Sequence, residues 1–359
     1  MTWIHIIGGG VSGLSLALAL AERGELPGEV IVSDPALRAP RSQTFCFWFQ
    51  DADRPLLKPE REWSSWSFSK IDKDLSSKHR SHHHMGNEFR YGMVSGERFR
   101  ERAIATLEAH PQITFDEREV VEGPKAQHIF DSRPPPREDY LIHQSFVGFE
   151  MSCQHAYSLD CVGLMEDMTE GFGGLLFKYV LPLSADRILV EYTVFTKDRI
   201  DLDDLEQYAA EALGDEGLGS AKTLRIERAH IPMGLKRSRD SFGIPIGTRA
   251  GMARDSTGYG FVEMMRWAQR ASEELINQGV VSPYHPPKVR TWMDRRLLSL
   301  IEHKPEILPN LFMALARALS PDRFASFMMS CRLSDAGVML IRSTRRPFID
   351  STIGNPQWI

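Results

Sequence analysis

The first 34 residues contain two short apolar runs with a longer apolar segment between them. The runs at 3–7 and Glu29–Ser33 are rich in β-branched side chains, which predicts two strands. The Leu- and Ala-rich segment at 11–23 predicts a buried helix that ends at the glycines of 24–28. Strands joined through a helix usually pair in parallel, so this end of the chain predicts an α/β sheet.

The pattern changes twice beyond this unit. Residues 36–90 are irregular and polar, 142–196 are β-like, and the chain from 256 onward is helical. Shorter strands are predicted at 113–121, 127–130 and 225–231, and helices at 97–110, 202–213, 256–278, 288–304 and 309–345. We therefore predict an α/β fold. A doubly wound (Rossmann-like) domain is discontinuous, at 1–140 and 236–275. A β-sheet substrate region follows at 141–235, and C-terminal helices occupy 276–359.

Composition narrows the classes of protein that fit this pattern. The chain has 359 residues, of which 42% are hydrophobic, so it can bury a large core. Its 43 basic and 48 acidic side chains give a net charge of −5, which does not favour a nucleic-acid partner. The four cysteines form no CxxC pair, so we predict neither a metal site nor disulfides, and a reducing, cytoplasmic compartment.

One uncharged segment, 3–21, has the length of a membrane span. It contains four glycines, two serines and a histidine, which is not the composition of a transmembrane helix. No other run approaches the roughly 18 to 20 apolar residues that cross a bilayer. We therefore expect a chain that does not span a membrane, and contact with a membrane surface stays open.

The strongest local motif is Gly8-x-Gly10-x-x-Gly13, which follows the first predicted strand and opens the first predicted helix. In a dinucleotide-binding turn, the first glycine allows the tight turn, the second lets backbone N–H groups approach a pyrophosphate, and the third permits close packing of helix on strand. Asp34, twenty-one residues after Gly13, is placed to accept hydrogen bonds from ribose hydroxyls. The alternative is a glycine turn with a coincidental acid.

The rest of the chain favours FAD over NAD as the dinucleotide. It has no second fingerprint of this kind, and a β-rich segment interrupts the α/β portion. A second glycine-rich turn at 247–260 could bring backbone amides and a helix start beside a flavin, through Gly251, Thr257 and Gly258. The alternative is an ordinary loop without a ligand.

At these residues the chain resembles the lycopene cyclase family, and especially its bacterial β-cyclases. The correspondence covers most of the chain in order and spacing, with motifs at 8–13, 34–35, 130–134, 143–150, 164–167, 177–183, 189–193, 231–234, 247–260 and 292–296. The resemblance implies cyclisation of a carotenoid ψ end group to a β-ionone ring without net oxidation. It also implies FAD that NAD(P)H reduces, and a hydrophobic, lycopene-like polyene as substrate.

Glu191 is the candidate general acid. Protonating an alkene requires a strong acid held dry against hydrocarbon, and Glu191 lies in the otherwise apolar run 189–195. By resemblance, Glu191 matches the first glutamate of the family motif Phe-Leu-Glu-Glu-Thr, and Tyr192 stands where the second glutamate would be. The alternative is a solvent-facing glutamate on an alternating strand.

Several other polar and aromatic residues have a structural explanation that competes with a functional one. Three acids in apolar surroundings either line the same cavity or, as we favour, form ion pairs: Glu150, Glu166 and Asp167. The histidines at 79 and 82–84 are interpreted as part of a solvated loop. Five aromatic side chains either contact an isoprenoid or pack in the core: Phe45, Phe47, Trp48, Trp63 and Trp66.

The C-terminal helices combine apolar positions with bordering arginines. This pattern fits peripheral attachment at the inner face of a membrane, where a lipid-soluble substrate enters sideways, and it equally fits core helices with basic solvent edges.

Three other functions stay open. One is a flavin-dependent monooxygenase or other redox flavoprotein acting on a hydrophobic substrate, and another is a cyclase for a different polyene or terpenoid. The third is a carotenoid- or polyprenyl-binding protein that retains flavin without turnover. The same fold can host all of them, so the residues of the site must decide.

Overall fold

The computed structural model describes residues 2–40, 43–71, 80–136, 140–235 and 241–330. The strands are β1 (Thr2–Ile7), β2 (Glu29–Ser33), β3 (Thr44–Phe49), β4 (Arg61–Trp63), β5 (Ser65–Lys70), β6 (Arg80–Met85), β7 (Arg90–Ser95), β8 (Ile113–Asp116), β9 (His128–Asp131), β10 (Tyr140–Ser152), β11 (Cys161–Gly171), β12 (Gly174–Ser184), β13 (Arg187–Thr196), β14 (Lys222–Leu235) and β15 (Ile244–Pro245). The helices are α1 (Val11–Ala21), α2 (Arg54–Leu57), α3 (Gly96–Glu108), α4 (Leu202–Asp215), α5 (Phe261–Gln278), α6 (Lys288–His303), α7 (Leu308–Ala318) and α8 (Pro321–Ser330).

A parallel sheet forms the N-terminal half of the fold, in the strand order β15-β9-β1-β2-β8. The β1–α1–β2 unit is as the sequence predicts, and its strands are buried because they carry β-branched side chains on both faces. Helix α1 packs with α3 and α5 in one hydrophobic core with this sheet. The predicted α/β class is confirmed.

A seven-stranded sheet holds the middle of the chain, in the order β14-β10-β13-β12-β11-β5-β6. All neighbours are antiparallel except β11 and β5. Because side chains alternate along a strand, the two faces have separate cores. One face packs on α4, and the other is covered by α6, α7 and α8.

The prediction that 36–90 is irregular is wrong, since five strands lie in this range or end just beyond it. Strands β3, β7 and β4 form a small third sheet, and β5 and β6 join the seven-stranded sheet. Part of the segment looks polar in sequence because serines alternate with buried aromatic residues. These serines have partners in the fold, since Ser67 and Ser69 donate hydrogen bonds to Glu166. We therefore propose that part of 44–95 belongs to the substrate region together with 141–235.

The C-terminal region is helical, with two differences from the prediction. Helix α5 starts at Phe261 and not at 256, because the preceding turn contains glycines with positive φ at Gly251 and Gly258. The predicted helix at 309–345 is divided before Pro321, which has no N–H group to continue a helix, and 331–345 lies outside the described residues. Among the residues described, none of the helices is both long enough and apolar enough to cross a membrane.

Candidate active site

The glycine turn between β1 and α1 has the geometry that dinucleotide binding requires. Gly8 has a φ of +100°, and its N–H donates to the Ser33 carbonyl at 2.7 Å. A Cβ on Gly13 would lie 2.0 Å from the Gly8 carbonyl oxygen, so only glycine lets the helix pack this closely. A Cβ on Gly10 would meet nothing within 4 Å, which leaves the start of α1 open to a ligand.

Asp34 lies beside this turn at the end of β2. Its carboxylate accepts hydrogen bonds from the N–H groups of Gly9, at 2.8 Å, and Ala36, at 2.7 Å. The side chain is half-buried. The sequence-predicted acid and the glycine turn therefore lie together.

A cavity of about 370 Å³ opens at the start of α1, and its walls include Gly10, Ser12, Ser132, Gly247 and Gly258. The second glycine-rich turn therefore reaches the first. Its predicted contact residues are placed differently: Gly258 lines this cavity and Thr257 lines only its neighbour. Gly251 lines neither of these two cavities, and its carbonyl accepts a hydrogen bond from Arg290 at 2.9 Å.

A second cavity of about 500 Å³ adjoins the first, because both are lined by Phe45, Ile231, Arg254, Gly258 and Phe261. Most of its wall is apolar and comes from the seven-stranded sheet and from helices α6 to α8. The cavity thus lies between the core of the sheet and the C-terminal helices, with the glycine turns at one end.

Glu191 faces this larger cavity from β13 and is only 9% exposed, so it is not the solvent-facing glutamate of the alternative interpretation. No described residue forms a hydrogen bond with its carboxyl group. Burial raises the pKa of Glu191 well above 4.5, and the neighbouring Glu227 raises it further, while Arg225 opposes both effects. Its surroundings therefore favour the protonated form of the carboxyl group.

Glu227 is a second acid in this cavity that the sequence analysis missed. It lies on β14, where Thr44 donates a hydrogen bond to it at 2.6 Å and Arg225 forms an ion pair with it at 2.5 Å. Burial raises the pKa of Glu227, and Thr44 and Arg225 oppose that rise. The strand predicted at 225–231 contains Glu227. The sequence does not give the register of β14 against β10, which decides where the Glu227 side chain lies.

Three tyrosines line the cavity close to Glu191, and one of them, Tyr179, is in register with Glu191 on the adjacent strand β12. The Tyr91 hydroxyl is 2.9 Å from that of Tyr179 and 2.7 Å from that of Tyr259. Burial raises the pKa of all three phenols, so they are neutral. Trp48 packs edge-on against Tyr91 with 4.7 Å between ring centroids. This part of the wall, next to Glu191, is thus aromatic and uncharged.

The aromatic residues singled out from the sequence divide into two groups. Phe45 and Trp48 line the larger cavity, whereas Phe47, Trp63 and Trp66 do not. The indole N–H of Trp63 donates to the Pro182 carbonyl at 3.0 Å, and all three side chains outside the cavity are buried in the core.

Tyr192 lies on the opposite face of the sheet from Glu191. Its hydroxyl donates to Glu216 at 3.1 Å, and its ring packs in the core that includes α4. Successive residues of a strand point to opposite faces, so Tyr192 cannot support the Glu191 carboxyl directly.

The three other acids form ion pairs or hydrogen bonds and do not line the larger cavity, as the structural explanation predicts. Glu150 pairs with Arg187 and, at 2.8 Å, with Arg225. Asp167 pairs with Lys178 at 2.7 Å, and Glu166 accepts hydrogen bonds from two serines of β5.

The expectation of a solvated histidine loop is wrong for the residues that the structure describes. His82, His83 and His84 lie on β6, and His84 is buried because strand alternation turns it into the core. Its Nδ1 accepts from Trp66 at 2.9 Å and its Nε2 donates to the Ala316 carbonyl at 2.8 Å. Burial lowers the pKa of His84 to about 4. His79 lies outside the described residues, and within them we find no group of three or more His, Cys, Asp or Glu side chains that could hold a metal ion.

Comparison with known proteins assigns a family. Lycopene beta-cyclases from Pantoea ananas and a Paracoccus species are 29% and 31% identical to the chain over 135 and 146 residues, which is 36% and 38% of this chain. These matches span 35% and 37% of the relatives, about a third of their length. A flavin-dependent halogenase from Xanthomonas campestris has a similar fold, with a TM-score of 0.56 at 12% identity over 96% of this chain and 89% of the halogenase. The family model for lycopene cyclase proteins matches residues 4–343, and the chain therefore belongs to the lycopene cyclase family.

Proposed function

We propose that this protein cyclises a carotenoid ψ end group to a β-ionone ring, in a reaction that depends on FAD but has no net oxidation. The observation that carries the proposal is the position of Glu191. Its buried carboxyl faces an apolar cavity that adjoins the open dinucleotide turn. A protonated carboxyl held dry against hydrocarbon is what protonation of an alkene requires.

The proposed reaction begins with proton transfer from the Glu191 carboxyl to a terminal double bond of the polyene. A new C–H bond forms, and a tertiary carbocation remains. A neighbouring double bond then attacks the cation to close the ring. Loss of a proton from the carbon beside the new cation forms the ring double bond, so that the product has the mass of the substrate.

The walls of the cavity suit such an intermediate. Apolar side chains exclude the water that would otherwise capture a carbocation as an alcohol. The faces of Trp48 and Tyr259, with ring centroids 5.3 Å apart, offer electron density to a cation without a nucleophilic charge.

The residues at and beside the smaller cavity suit the pyrophosphate and ribose of FAD. Gly10 leaves the start of α1 open, Asp34 lies beside the turn, and Ser12 and Gly247 form adjacent parts of the wall. We propose that these residues hold the dinucleotide and that Gly258, shared by both cavities, lies near the flavin ring. Bound there and reduced by NAD(P)H, a flavin would supply negative charge that stabilises a cation.

We also propose that the protein touches a membrane at the inner face, because a lycopene-like polyene dissolves in lipid. Helix α6 supports this: its Trp292 is 43% exposed and stacks with Arg296, and its Met293 and Leu297 line the larger cavity. An aromatic and a basic side chain together favour the headgroup region. Flotation with liposomes tests the contact: we expect wild-type protein to float and Trp292→Ser to float less, whereas protein that stays entirely in the soluble fraction would contradict it.

Expression in a bacterium that accumulates lycopene tests the proposed reaction. We expect a monocyclic or bicyclic carotene with the mass of lycopene. A product heavier by one oxygen would instead indicate a monooxygenase, and unchanged lycopene in the presence of folded, flavin-loaded protein would indicate a different substrate or a binding function.

A further inference from the structure

Glu191 and Glu227 occupy one row of side chains that crosses the seven-stranded sheet. Gly148 of β10 is in register with Glu191 on one side and with Glu227 on the other. Neighbouring strands lie about 4.8 Å apart, so the two glutamate Cα atoms are roughly 10 Å apart with no side chain between them. The Cγ atom of Glu191 extends over the gap, 2.6 Å from where a Cβ of residue 148 would stand.

The surroundings of the two carboxyls differ. Glu227 has a cation, Arg225, and a hydroxyl donor, Thr44, both within 2.6 Å. Glu191 has no hydrogen-bond partner among the described residues. A cation and a hydroxyl donor favour the charged form of a carboxyl, and a neighbouring negative charge favours the protonated form of a buried carboxyl that lacks such partners.

We propose, resting on the assignment of Glu191 as the acid, that Glu227 is a positioning residue whose carboxylate holds the proton on Glu191 across Gly148. After Glu191 has given its proton to the substrate, two carboxylates face each other at the gap. Their repulsion favours return of a proton to Glu191 when the ring cation loses one from carbon: the C–H bond breaks, its electron pair forms the ring double bond, and the proton goes to the Glu191 carboxylate. The acid is thereby restored for the next turnover.

Among the titratable groups around the cavity, Glu227 and its ion-pair partner Arg225 are the charged neighbours that act on Glu191, Glu227 raising its pKa and Arg225 lowering it. The Cys46 thiol and the phenols of Tyr91, Tyr179 and Tyr259 are neutral, because burial raises the pKa of each. Two charged side chains of the wall compensate each other in an ion pair of 2.9 Å, Arg254 with Asp294. Arg225 is shared between Glu227 and Glu150, and His230 lies within hydrogen-bond distance of Ser145, at 2.8 Å.

An infrared pH titration of the purified, full-length protein without substrate tests the proposal. The carboxylic-acid band of Glu191 is identified as the band that Glu191→Gln removes. In Glu227→Gln the midpoint of this band should move to lower pH by about one unit or more, because a repelling charge has been removed. Glu227→Asp, which keeps the charge, should restore most of the wild-type midpoint.

Glu166→Gln is the matched control, since it removes a carboxyl of the same sheet that does not line the larger cavity. Its midpoint should equal that of the wild type. If Glu227→Gln does not fold, Thr44→Val replaces it: loss of the hydroxyl donor weakens the charge on Glu227 and should move the midpoint in the same direction by less. An unmoved midpoint in both variants, or an equal shift in Glu166→Gln, would overturn the proposal.

The titration separates this role from the reaction itself, because it requires no turnover. A shifted midpoint together with no cyclic pigment would retain the carboxyl pair and reject the cyclisation. Cyclic pigment with an unmoved midpoint would retain the cyclisation and reject the carboxyl pair. In an active enzyme, the alkaline limb of the pH–rate profile should move to lower pH in Glu227→Gln and return in Glu227→Asp.

Discussion

Glu191 and Glu227 lie on the same face of the seven-stranded sheet, two strands apart, with Gly148 in register between them. Each is buried, and among the described residues only Glu227 of the two has a cation within ion-pair distance. The sheet thus places an acid and a carboxylate in one apolar cavity beside a dinucleotide turn.

Glu191→Gln should abolish cyclisation and leave flavin binding intact. The amide has nearly the same shape but no acidic proton, and loss of a general acid typically lowers the rate by about 10²- to 10⁴-fold. Pigment analysis and the flavin absorbance of the purified variant measure the two effects. Full activity in this variant would remove Glu191 from the mechanism.

Tyr192→Phe is the control for that substitution, because the next residue of the strand points to the other face. It loses the hydrogen bond to Glu216, which should lower the free energy of unfolding by about 1 kcal/mol. Cyclisation should continue near the wild-type rate. A loss as large as that of Glu191→Gln would mean that Tyr192 acts on the reaction.

Gly148→Ala should lower activity more than stability. The new methyl group would meet the Cγ atom of Glu191 at 2.6 Å and displace its carboxyl, and a misplacement of about 1 Å can slow a reaction by about 10²-fold. Rate measurements combined with thermal melts test this. Gly214→Ala in α4 is the control, since a Cβ there meets nothing within 4 Å, and it should be neutral or slightly stabilising.

The free energy of unfolding should depend on pH through the titration of Glu191. The pKa of this group is raised in the folded protein above its ordinary value of 4.5, so the folded state binds more protons than the unfolded state between these two values. The free energy of unfolding should therefore fall as pH rises through that window, by at most about 1.4 kcal/mol per pH unit. Urea unfolding across this range should show a steeper fall in wild type than in Glu191→Gln, in which Glu227 still titrates, and parallel curves would contradict the buried acid.

The dinucleotide-binding turn could be predicted from the sequence because the residues that shape it are close together in the chain. Gly8, Gly10 and Gly13 act within one turn, and Asp34 follows a strand that begins in a β-rich run. The long β-rich middle and the helical end were also predictable from their periodicity. These elements depend on neighbours within a few positions of one another.

The proximity of Glu191 and Glu227 could not be predicted from the sequence in this way. Glu227 reaches Glu191 only through the registers of β14 and β13 against β10, and pairing registers between distant strands are set by tertiary packing. The strands of 44–95 escaped prediction for a related reason. Their serines and histidines look solvated in sequence, but Ser67, Ser69 and His84 find buried hydrogen-bond partners in the fold.

Substitutions at two glycines of the first turn should separate flavin binding from folding. Gly10→Val should fold, because space is free at this Cβ and the φ of −81° suits any residue, but it should lose flavin as the side chain blocks the approach to the start of α1. Gly13→Val should fold poorly, because its Cβ would overlap the Gly8 carbonyl oxygen. Flavin content and circular dichroism measure the two effects, and flavin-loaded Gly10→Val would argue against this site.

Turnover of lycopene by the purified, flavin-loaded protein in D₂O, with a limiting amount of NAD(P)H, tests the central claim most directly. Protein equilibrated in D₂O carries a deuteron on Glu191, so proton-initiated cyclisation predicts one deuterium in the first ring that each molecule forms, no added oxygen, and many turnovers for each NAD(P)H consumed. A cyclic product without deuterium, or NAD(P)H consumption in step with product, would contradict an acid-initiated reaction at Glu191 without net oxidation.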